Sequence, residues 1–393
     1  MDPSFTIVRM RLRQYRSIAR CDVNLGALAL LVGPNGSGKS NFLGSLRLTS
    51  QALLENLDNA LRERGGIGEV RRRSNGHPTH FGIKINFRAN DLSGSYAYEV
   101  GAMKGGDFRV SKEECHVSAA TFGSRERFFK VRDGTLVGTS EAIMPPVSSD
   151  RLYLVAAAGL EAFRLPFDGL AAVNVYNLNP DAMRQLQPPD AGDLLRRDGS
   201  NVASVLERLR REDPVVKQRI EDYLERVVAG ISGVDRRGYG AWDALEFRQA
   251  VAGGSAPWTF QATSMSDGTL RTLGVLVALL GGSSSLLSPV GIEEPEVALH
   301  PAAAGLLLDA LRDAAETRQV LVTTHSPDLL DSPEITASDL LAVRAKDGVT
   351  TIGRVDRAGQ QALRGSLFTA GELLRADQLT PEPESASQLE LFG

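Results

Sequence analysis

A short loop, Gly33-Pro-Asn-Gly-Ser-Gly-Lys-Ser40, carries the clearest chemistry in this sequence. Its glycines let the backbone turn N–H groups inward around an anion, Lys39 can reach the outer phosphates of a polyphosphate, and the Ser40 hydroxyl can ligate Mg²⁺. The apolar run 28–32 precedes the loop and a helical pattern follows it, which predicts a phosphate-binding loop between a strand and a helix. The residues expected at the phosphates are Gly33, Pro34, Asn35, Gly36, Ser37, Gly38, Lys39, Ser40 and Asn41.

A second group of polar residues follows two apolar runs in the last third of the chain. Glu293 and Glu294 come directly after the run 288–292, and His325 follows the run 319–323. Neighbouring parallel strands end at the same edge of a sheet, so we expect these side chains to meet near the γ-phosphate. A structural role is the alternative for a single histidine, but its place among Thr and Ser residues at a strand tip favours chemistry.

The roles of these side chains follow from the requirements of phosphoryl transfer. We assign Glu293 to Mg²⁺ together with Ser40, and Glu294 to the attacking water, which it orients and deprotonates. Lys39, Glu294 and His325 are then the catalytic residues. The sequence therefore predicts an enzyme that hydrolyses a nucleoside triphosphate.

Composition excludes several classes of protein. The chain has 393 residues, enough for one large domain with insertions or for two domains. Its net charge of −4 is too small to dictate a partner, so any contact with nucleic acid has to be local. The two cysteines lie far apart, and no apolar run is long enough to span a bilayer. We therefore expect a cytoplasmic protein without a membrane partner.

The remaining pattern is typical of a mixed α/β fold. Short alternating runs between 80 and 138 predict an antiparallel lobe, and two amphipathic helices after residue 200 predict a small helical lid. The predicted strands are Phe5 to Arg13, Leu28 to Val32, Phe81 to Phe87, Ser95 to Val100, Asp107 to Val117, Arg127 to Val137, Leu152 to Ala158, Ser288 to Ile292, Gln319 to Thr323, Leu340 to Val343 and Val349 to Val355. The predicted helices are Phe42 to Leu61, Val202 to Arg211, Val215 to Val228, Leu270 to Leu280 and Ala302 to Thr317.

These motifs together resemble the ATP-binding-cassette (ABC) ATPases of the RecF and SMC type. The resemblance covers Phe5 to about Leu374. Within that group the sequence is similar to compact AAA-family ATPases of the OLD-like and RecF-like kind, without the Toprim domain of OLD nucleases. The segments that carry the resemblance are 33–40 as Walker A, 265–269 as the signature, 290–294 as Walker B, 295–300 as the segment between subunits and 324–325 with the switch histidine.

The resemblance implies a P-loop NTPase of ABC-ATPase head type, with a mixed central sheet, an antiparallel β-lobe and a small helical lid. It implies ATP and Mg²⁺ as cofactors and a homodimer that forms on ATP binding. In that dimer Ser266 and Gly268 of one subunit cap the ATP held by Lys39 of the other, and hydrolysis releases the pair. Arg16 matches a residue that approaches the nucleotide in SMC-like heads, and a solvated turn arginine is the alternative.

Several positions depart from the pattern of the family. Glu293 replaces the usual Asp of Walker B, Asp267 and Thr269 alter the signature, and His300 stands where an Asp is usual. These departures are compatible with slow turnover. The candidates for the Q-loop glutamine are Gln51, Gln185 and Gln187.

On this interpretation the chain divides into a two-part head, two insertions and a tail. No heptad pattern runs between the Walker A and signature motifs, which excludes the long coiled-coil arm of an SMC protein. The predicted segments are 1–78 with Walker A, 79–150 as the β-lobe, 151–256 as a partly helical lid, 257–374 with the signature, Walker B and switch histidine, and 375–393 as a flexible tail.

Apolar residues return at the end of the chain, after an acidic, Pro-containing linker. Residues 388–392 read Gln-Leu-Glu-Leu-Phe, which resembles the peptide by which bacterial replication and repair proteins bind the sliding clamp. Leu391 and Phe392 would fill an apolar pocket, Leu389 would pack at its edge, and Gln388 would hydrogen-bond in a second subsite. The alternative is that Leu391 and Phe392 fold back onto the protein's own surface.

Two functions of different classes follow from these observations. The first is a DNA-maintenance ATPase, associated with the nucleoid, whose partners are DNA and the sliding clamp. The second is a regulatory ATPase of an anti-phage defence system that controls a separate effector protein. A nucleotide-locked scaffold with negligible hydrolysis is a third interpretation.

Overall fold

Strands dominate the first part of the chain, where alternating apolar runs occur, whereas strands and helices follow one another in the last third. The computed structural model describes residues 4–74, 78–119, 126–251, 256–282, 287–382 and 390–392. Numbered along the chain, the strands in these ranges are β1 Phe5–Tyr15, β2 Ile18–Asn24, β3 Leu28–Val32, β4 His80–Ala89, β5 Leu92–Ala102, β6 Phe108–Ala119, β7 Arg127–Arg132, β8 Thr135–Thr139, β9 Asn174–Tyr176, β10 Ile231–Tyr239, β11 Trp242–Gln249, β12 Trp258–Gln261, β13 Val290–Glu293, β14 Val320–Thr324, β15 Leu340–Lys346 and β16 Val349–Arg354.

Most of these strands form one mixed sheet. Within the described ranges its order is β8-β7-β6-β5-β4-β1-β2-β16-β15-β3-β14-β13-β9. The strands from β15 to β9 pair in parallel, with Leu28 opposite Val320 and Glu293 opposite Thr323. Strand β3 therefore lies between β14 and β15, and the carboxyl ends of β3, β13 and β14 share one edge of the sheet.

The antiparallel lobe continues the same sheet. Strand β1 pairs antiparallel with β2 on one side and with β4 on the other, and β4 to β8 follow as a meander. Apolar residues alternate with polar ones along β1 and β4, so one face of the lobe is buried and the other is polar. The lobe is thus hydrogen-bonded to the head through β1.

Helices cover both faces of the sheet where its strands are parallel. The described helices are α1 Lys39–Leu54, α2 Leu57–Arg62, α3 Ile67–Val70, α4 Leu154–Ala157, α5 Glu161–Ala171, α6 Pro180–Arg184, α7 Val202–Glu212, α8 Pro214–Val227, α9 Asp267–Leu280, α10 Ala304–Ala315, α11 Pro327–Leu330, α12 Arg357–Arg364 and α13 Ala370–Arg375. None of the helices in the described part of the chain has the length and hydrophobicity to cross a bilayer.

Two hydrophobic cores result, one on each face of the sheet. Along β3, Ala29 and Leu31 belong to the core that includes α1 and α5, while Leu30 and Val32 belong to the core that includes α8, α9 and α10. A strand that is buried on both faces reads as a continuous apolar run, as 28–32 does. The two cores hold the phosphate-binding loop from both sides.

A second, smaller sheet accompanies α7 and α8. In the described ranges β10, β11 and β12 form it by antiparallel pairing, and β12 leads through a short 3₁₀ turn directly to Ser266. The sequence prediction gave this region helices but no strands. The structure therefore adds a sheet to the predicted lid.

The predicted architecture is confirmed, with corrections to individual elements. The mixed sheet, the antiparallel lobe, the helices after residue 200 and the parallel strands that end at the two acids and the histidine are all present. The predicted strand 152–158 is wrong, because residues 154–157 form α4. The predicted strand 127–137 is two strands with a turn at Asp133, and the predicted helix 42–61 is two helices, the second capped by Asn56.

Candidate functional site

The glycines of the phosphate-binding loop are required at different points by packing and by backbone conformation. A Cβ on Gly33 would lie 2.0 Å from the Val343 carbonyl oxygen, and one on Gly38 would lie 2.2 Å from Thr350 Oγ1. Gly36 has a φ of 75°, which favours glycine, and among the described residues no atom lies within 4 Å of its Cβ position. The loop is therefore clamped against β15 and β16 at its ends and open at Gly36.

Lys39 begins α1, and its side chain is only 4% exposed. Its ammonium donates to the carbonyl oxygens of Gly33 at 2.9 Å and Pro34 at 3.1 Å, and it lies 3.9 Å from Glu294 Oε1. Burial lowers the pKa of Lys39, and the charges of Glu294 and Glu296 act in the opposite direction. The ammonium is thus held within the loop, between the phosphate cradle and the acids.

A hydrogen-bonded chain connects the start of α1 with the turn after β1. Arg16 Nη1 donates to Asn41 Oδ1 at 3.3 Å, and Asn41 Nδ2 donates to Ser17 Oγ at 2.7 Å. Ser17 Oγ lies 2.7 Å from Thr350 Oγ1, which donates to the Ser37 carbonyl at 2.8 Å. The structure therefore brings Arg16 beside the phosphate-binding loop. Its predicted contact with the nucleotide stays a prediction.

An arginine-lined cavity of about 420 Å³ adjoins Asn41. Burial lowers the pKa of one of its arginines, Arg64. The excess of guanidinium groups favours an anionic occupant. The charged residues that line it are Arg16, Arg64, Glu69, Arg71 and Arg73.

Glu293 ends β13, and its carboxylate is engaged by a residue that the sequence did not mark. Its side chain is 14% exposed, and Arg197 Nη2 donates to its Oε1 at 3.2 Å. Arg197 lies between α6 and α7, far from Glu293 in sequence. Only the tertiary fold brings the two together, so no local spacing could have revealed the pair.

The predicted magnesium ligands suit that ion by their chemistry. Ser40 is exposed at the start of α1 and Glu293 lies at the same edge of the sheet. In the ranges the structure describes, no group of three or more His, Cys, Asp or Glu side chains is arranged to hold a metal. Mg²⁺ keeps several waters and takes one or two protein ligands in addition to phosphate oxygens, so a hydroxyl and a carboxylate fit it.

Glu294 has an unusual backbone conformation. Its φ is 47°, in the left-handed region, which costs of order 1 kcal/mol or more for a residue with a side chain. The conformation is fixed because Glu294 N donates to the Thr323 carbonyl at 2.9 Å. It directs Oε1 to within 3.3 Å of His325 Nδ1 and 3.9 Å of Lys39 Nζ. The three residues predicted to be catalytic therefore converge at one point.

Glu296 holds the histidine in place, a role that the sequence prediction missed. Its Oε1 accepts from Thr324 Oγ1 at 2.6 Å and from His325 N at 3.2 Å, and the side chain is 8% exposed. Burial lowers the pKa of Arg271 on α9, and Glu294 and Glu296 act to raise it. The acids therefore face cations from both Walker A and the signature helix. The sequence signal that could have revealed this role is the third acid in Glu-Glu-Pro-Glu, residues 293–296.

The signature residues lie at the exposed N-terminus of α9. Ser266 Oγ accepts from the backbone N–H three residues later at 3.2 Å, and a Cβ on Gly268 would lie 2.3 Å from the Ala298 carbonyl oxygen. Arg184 donates to the Met265 carbonyl at 3.3 Å. Among the described residues no hydrogen bond or ion pair joins the signature to the loop 33–40 of the same chain. The Thr269 N–H is used by Ser266 Oγ, so the N–H groups of Ser266, Asp267 and Gly268 are those that can face another molecule.

Two of the three candidate glutamines are used inside the fold. Gln187 is buried and bonds two backbone groups in the lid, and Gln51 accepts from Arg64 at 2.8 Å.

Asn177, the residue after β9, is exposed and lies beside Glu293 because β9 pairs with β13 in parallel register. The sequence pattern did not mark Asn177, since β9 has only three residues.

The end of the tail lies on the β-lobe. Leu391 is 1% exposed and Phe392 is half-buried, so within this chain these two residues adopt the folded-back alternative. Gln388 and Leu389 lie outside the described residues. Binding of the tail to a sliding clamp stays a prediction.

A comparison with protein-family models matches residues 28–103 and 157–331 to the family described as "AAA domain, putative AbiEii toxin, Type IV TA system". The chain belongs to this family. The matched ranges contain the phosphate-binding loop and the segments predicted to be the signature, Walker B and the switch histidine of this AAA-domain protein. No curated protein matches its sequence.

Solved structures show the same fold for this AAA-domain protein. An SMC head bound to the C-winged helix domain of ScpA matches with a TM-score of 0.55 and 12% identity, over 90% of this chain and 99% of that chain. An SMC head with an extended coiled coil, bound to the C-terminal domain of ScpA derived from Pyrococcus furiosus, matches with a TM-score of 0.54 and 10% identity, over 93% and 99%. The AAA-domain chain therefore has the ABC-type ATPase head fold.

Proposed function

We propose that this protein is a magnesium-dependent ATPase whose heads pair around two ATP molecules. The observation that carries the proposal is the meeting of Lys39, Glu294 and His325 at the carboxyl edge of the sheet, with separations of 3.9 Å and 3.3 Å from the Glu294 carboxylate. A buried cation beside an acid and a histidine suits transfer of a phosphoryl group to water.

Each residue has a distinct task in this proposal. The N–H groups of the loop and the Lys39 ammonium hold the phosphates, and Ser40 and Glu293 would hold Mg²⁺, which neutralises phosphate charge when bound. The strained backbone of Glu294 fixes its carboxylate to orient a water and accept its proton. His325, held by Glu296, orients the same water or the γ-phosphate.

Dimerisation completes the site in this proposal. The exposed N-terminus of α9 presents Ser266 and the N–H groups of Asp267 and Gly268, and in the described part of the chain no hydrogen bond or ion pair joins them to the loop 33–40. A helix N-terminus favours an anion, so a second subunit's ATP is a suitable partner. ATP would hold two heads together and hydrolysis would release them.

Phosphate release and particle mass test this proposal directly. We expect Glu294→Gln to lower turnover by about a hundredfold or more while ATP binding persists and dimers accumulate. Glu316→Gln, an exposed acid after α10, is the matched control and should leave turnover unchanged. Unchanged phosphate release in Glu294→Gln would refute catalysis and support the nucleotide-locked scaffold.

Mixing two inactive variants tests the shared site. Lys39→Ala removes the phosphate contact in one subunit, and Ser266→Arg blocks the cap in the other. In an equal mixture, heterodimers have one intact site, so we expect recovery of about a quarter of wild-type turnover. Absence of any recovery, together with monomers under saturating ATP, would exclude the composite site.

For the cellular role we propose DNA maintenance at replication or repair sites. Support comes from the arginine-lined cavity beside the nucleotide loop and from the Gln-Leu-Glu-Leu-Phe sequence of the tail. We expect ATP-dependent binding of a short DNA duplex, weakened by Arg73→Gln with a smaller salt dependence. Arg226→Gln on α8 serves as a basic control. A pull-down in which deletion of 388–393 leaves clamp retention unchanged would remove the clamp as a partner.

A defence role is the second candidate, and the family match favours it. The family description names the AbiEii toxin and a type IV toxin–antitoxin system, which suits an ATPase that controls a separate effector protein. An effector gene beside this one, whose product co-purifies in an ATP-dependent manner, would support this role. A gene without such a neighbour, and DNA-stimulated turnover without an effector, would favour maintenance.

A further inference from the structure

The outer face of the β-lobe carries charged residues around one small gap. Opposite residues in the sheet share a face, and on this face Arg11 pairs with Lys84, Gly82 pairs with Glu99, and Glu99 pairs with Lys112. Gly82 has no side chain and is nonetheless buried. Something other than its own strand therefore covers it.

The end of the chain fills that gap. Leu391 Cδ1 lies 2.4 Å from the position that a Cβ on Gly82 would occupy, so a methyl group at residue 82 would force Leu391 to move from its place. Arg11 donates to the Glu390 carbonyl at 3.5 Å, and Lys112 Nζ lies 5.4 Å from the centre of the Phe392 ring. Strands β1, β4 and β6 each supply one contact to the tail.

The chain can reach this position from its own last anchor. Glu382 N donates to the Arg354 carbonyl at 2.7 Å, which ties residue 382 to the end of β16. In the sheet β16 and β4 are separated by β2 and β1, a distance of about 14 Å. Residues 383–389 can span about 24 Å. The tail of one molecule is therefore long enough to reach the gap at Gly82 of the same molecule.

We propose that the gap at Gly82 is a peptide-binding site whose ligand is the chain's own C-terminal Leu391-Phe392. The site lies on the β-lobe, apart from the nucleotide loop, and does not depend on the proposed ATPase activity. The leucine fits over residue 82 because glycine has no side chain there. The aromatic ring lies beside the Lys112 ammonium. Any external partner that takes Leu391 has to compete with this site.

Digestion of the full chain by a carboxypeptidase tests the docking. Gly82→Ala places a methyl group where Leu391 Cδ1 lies, so we expect removal of the last residues to become at least fivefold faster. Gly138→Ala in β8 is the matched control, since its methyl group would meet only ordinary contacts at 3.5 Å or more. Equal digestion of wild type and Gly82→Ala, with circular dichroism unchanged, would overturn the proposal.

A labelled peptide gives an independent measurement that does not rely on the stability of Gly82→Ala. The probe is fluorescein-labelled Gln-Leu-Glu-Leu-Phe-Gly, read by anisotropy against full-length Leu391→Ala. We expect binding about tenfold or more tighter than to wild type, because a tethered tail acts at a millimolar effective concentration. A scrambled peptide should not bind. If the labelled peptide bound wild type and Leu391→Ala equally well, the tail would not occupy the site, and the proposal would be refuted.

The dependence on protein concentration distinguishes docking within one molecule from docking on a second copy. Docking within one molecule predicts that the digestion rate of wild type is the same at low and high protein concentration. Protection that increases with concentration would overturn the proposal, because the ligand would then be the tail of another molecule.

Discussion

Glu113 is a fully buried carboxyl group, and replacing it with glutamine should remove a specific pH dependence of stability. In β6 its oxygens accept from Tyr153 N at 2.6 Å, Leu154 N at 2.8 Å and Tyr96 Oη at 2.9 Å. These bonds fix the point at which the chain leaves the lobe and begins α4. Burial raises the pKa of Glu113 to about 7, although the three hydrogen bonds act to lower it.

The sign of the effect follows from proton binding. A glutamate in the unfolded chain has a pKa of about 4.5, so between that pH and about 7 the folded protein binds more protons than the unfolded one. The stabilisation is complete below the unfolded pKa and is lost as pH rises through the folded pKa. A difference of about 2.5 pKa units corresponds to about 3 kcal/mol of unfolding free energy.

Urea unfolding followed by circular dichroism, at several values between about pH 5 and pH 8, measures this dependence. Glu113→Gln places an amide N–H₂ beside a backbone donor, which costs about 1–3 kcal/mol at every pH. The slope is therefore the informative quantity. We expect wild type and Asp91→Asn, an exposed acid in the turn before β5, to lose stability relative to Glu113→Gln as pH rises. Equal slopes in wild type and Glu113→Gln would refute the reasoning.

Three further predictions concern the nucleotide site. Glu296→Gln weakens two charge-assisted bonds that hold the segment of His325. We expect the free energy of unfolding to fall by about 1–2 kcal/mol in thermal unfolding, and turnover to fall by about tenfold. Unchanged turnover would contradict the positioning role. Arg197→Ala frees Glu293 for Mg²⁺, so half-maximal phosphate release should need up to about fivefold less Mg²⁺, and an unchanged requirement would argue against competition. Gly33→Ala brings a methyl group into collision with the Val343 carbonyl oxygen. We expect it to lower the free energy of unfolding, measured in urea, by about 1–3 kcal/mol. A smaller loss would show that the backbone of β15 moves to make room.

The phosphate-binding loop and its neighbours could be predicted because their signals are local. The run 28–32 is buried on both faces, and the acids and His325 directly follow apolar runs. Local spacing therefore placed Lys39, Glu294 and His325 at one edge of a parallel sheet. The structure added the distances that join them.

Features that depend on tertiary pairing could not be predicted in this way. A short apolar run such as 152–158 is ambiguous between strand and helix, and the bonds from Glu113 to Tyr153 and Leu154 favour the helix start. Arg197 reaches Glu293 only through the fold. The hairpin of β10 and β11 carries many charges and exposed residues, which hid its strand pattern.

The continuity of the large sheet limits how this protein can be divided. Strand β1 bonds to the head through β2 and to the lobe through β4. Removal of 79–150 would leave one side of β1 with eleven residues of backbone facing water, an open edge of the kind that recruits strands from other molecules. A truncated head is therefore expected to self-associate into aggregates whatever its nucleotide, and studies of the isolated head should cap β1 with a designed strand.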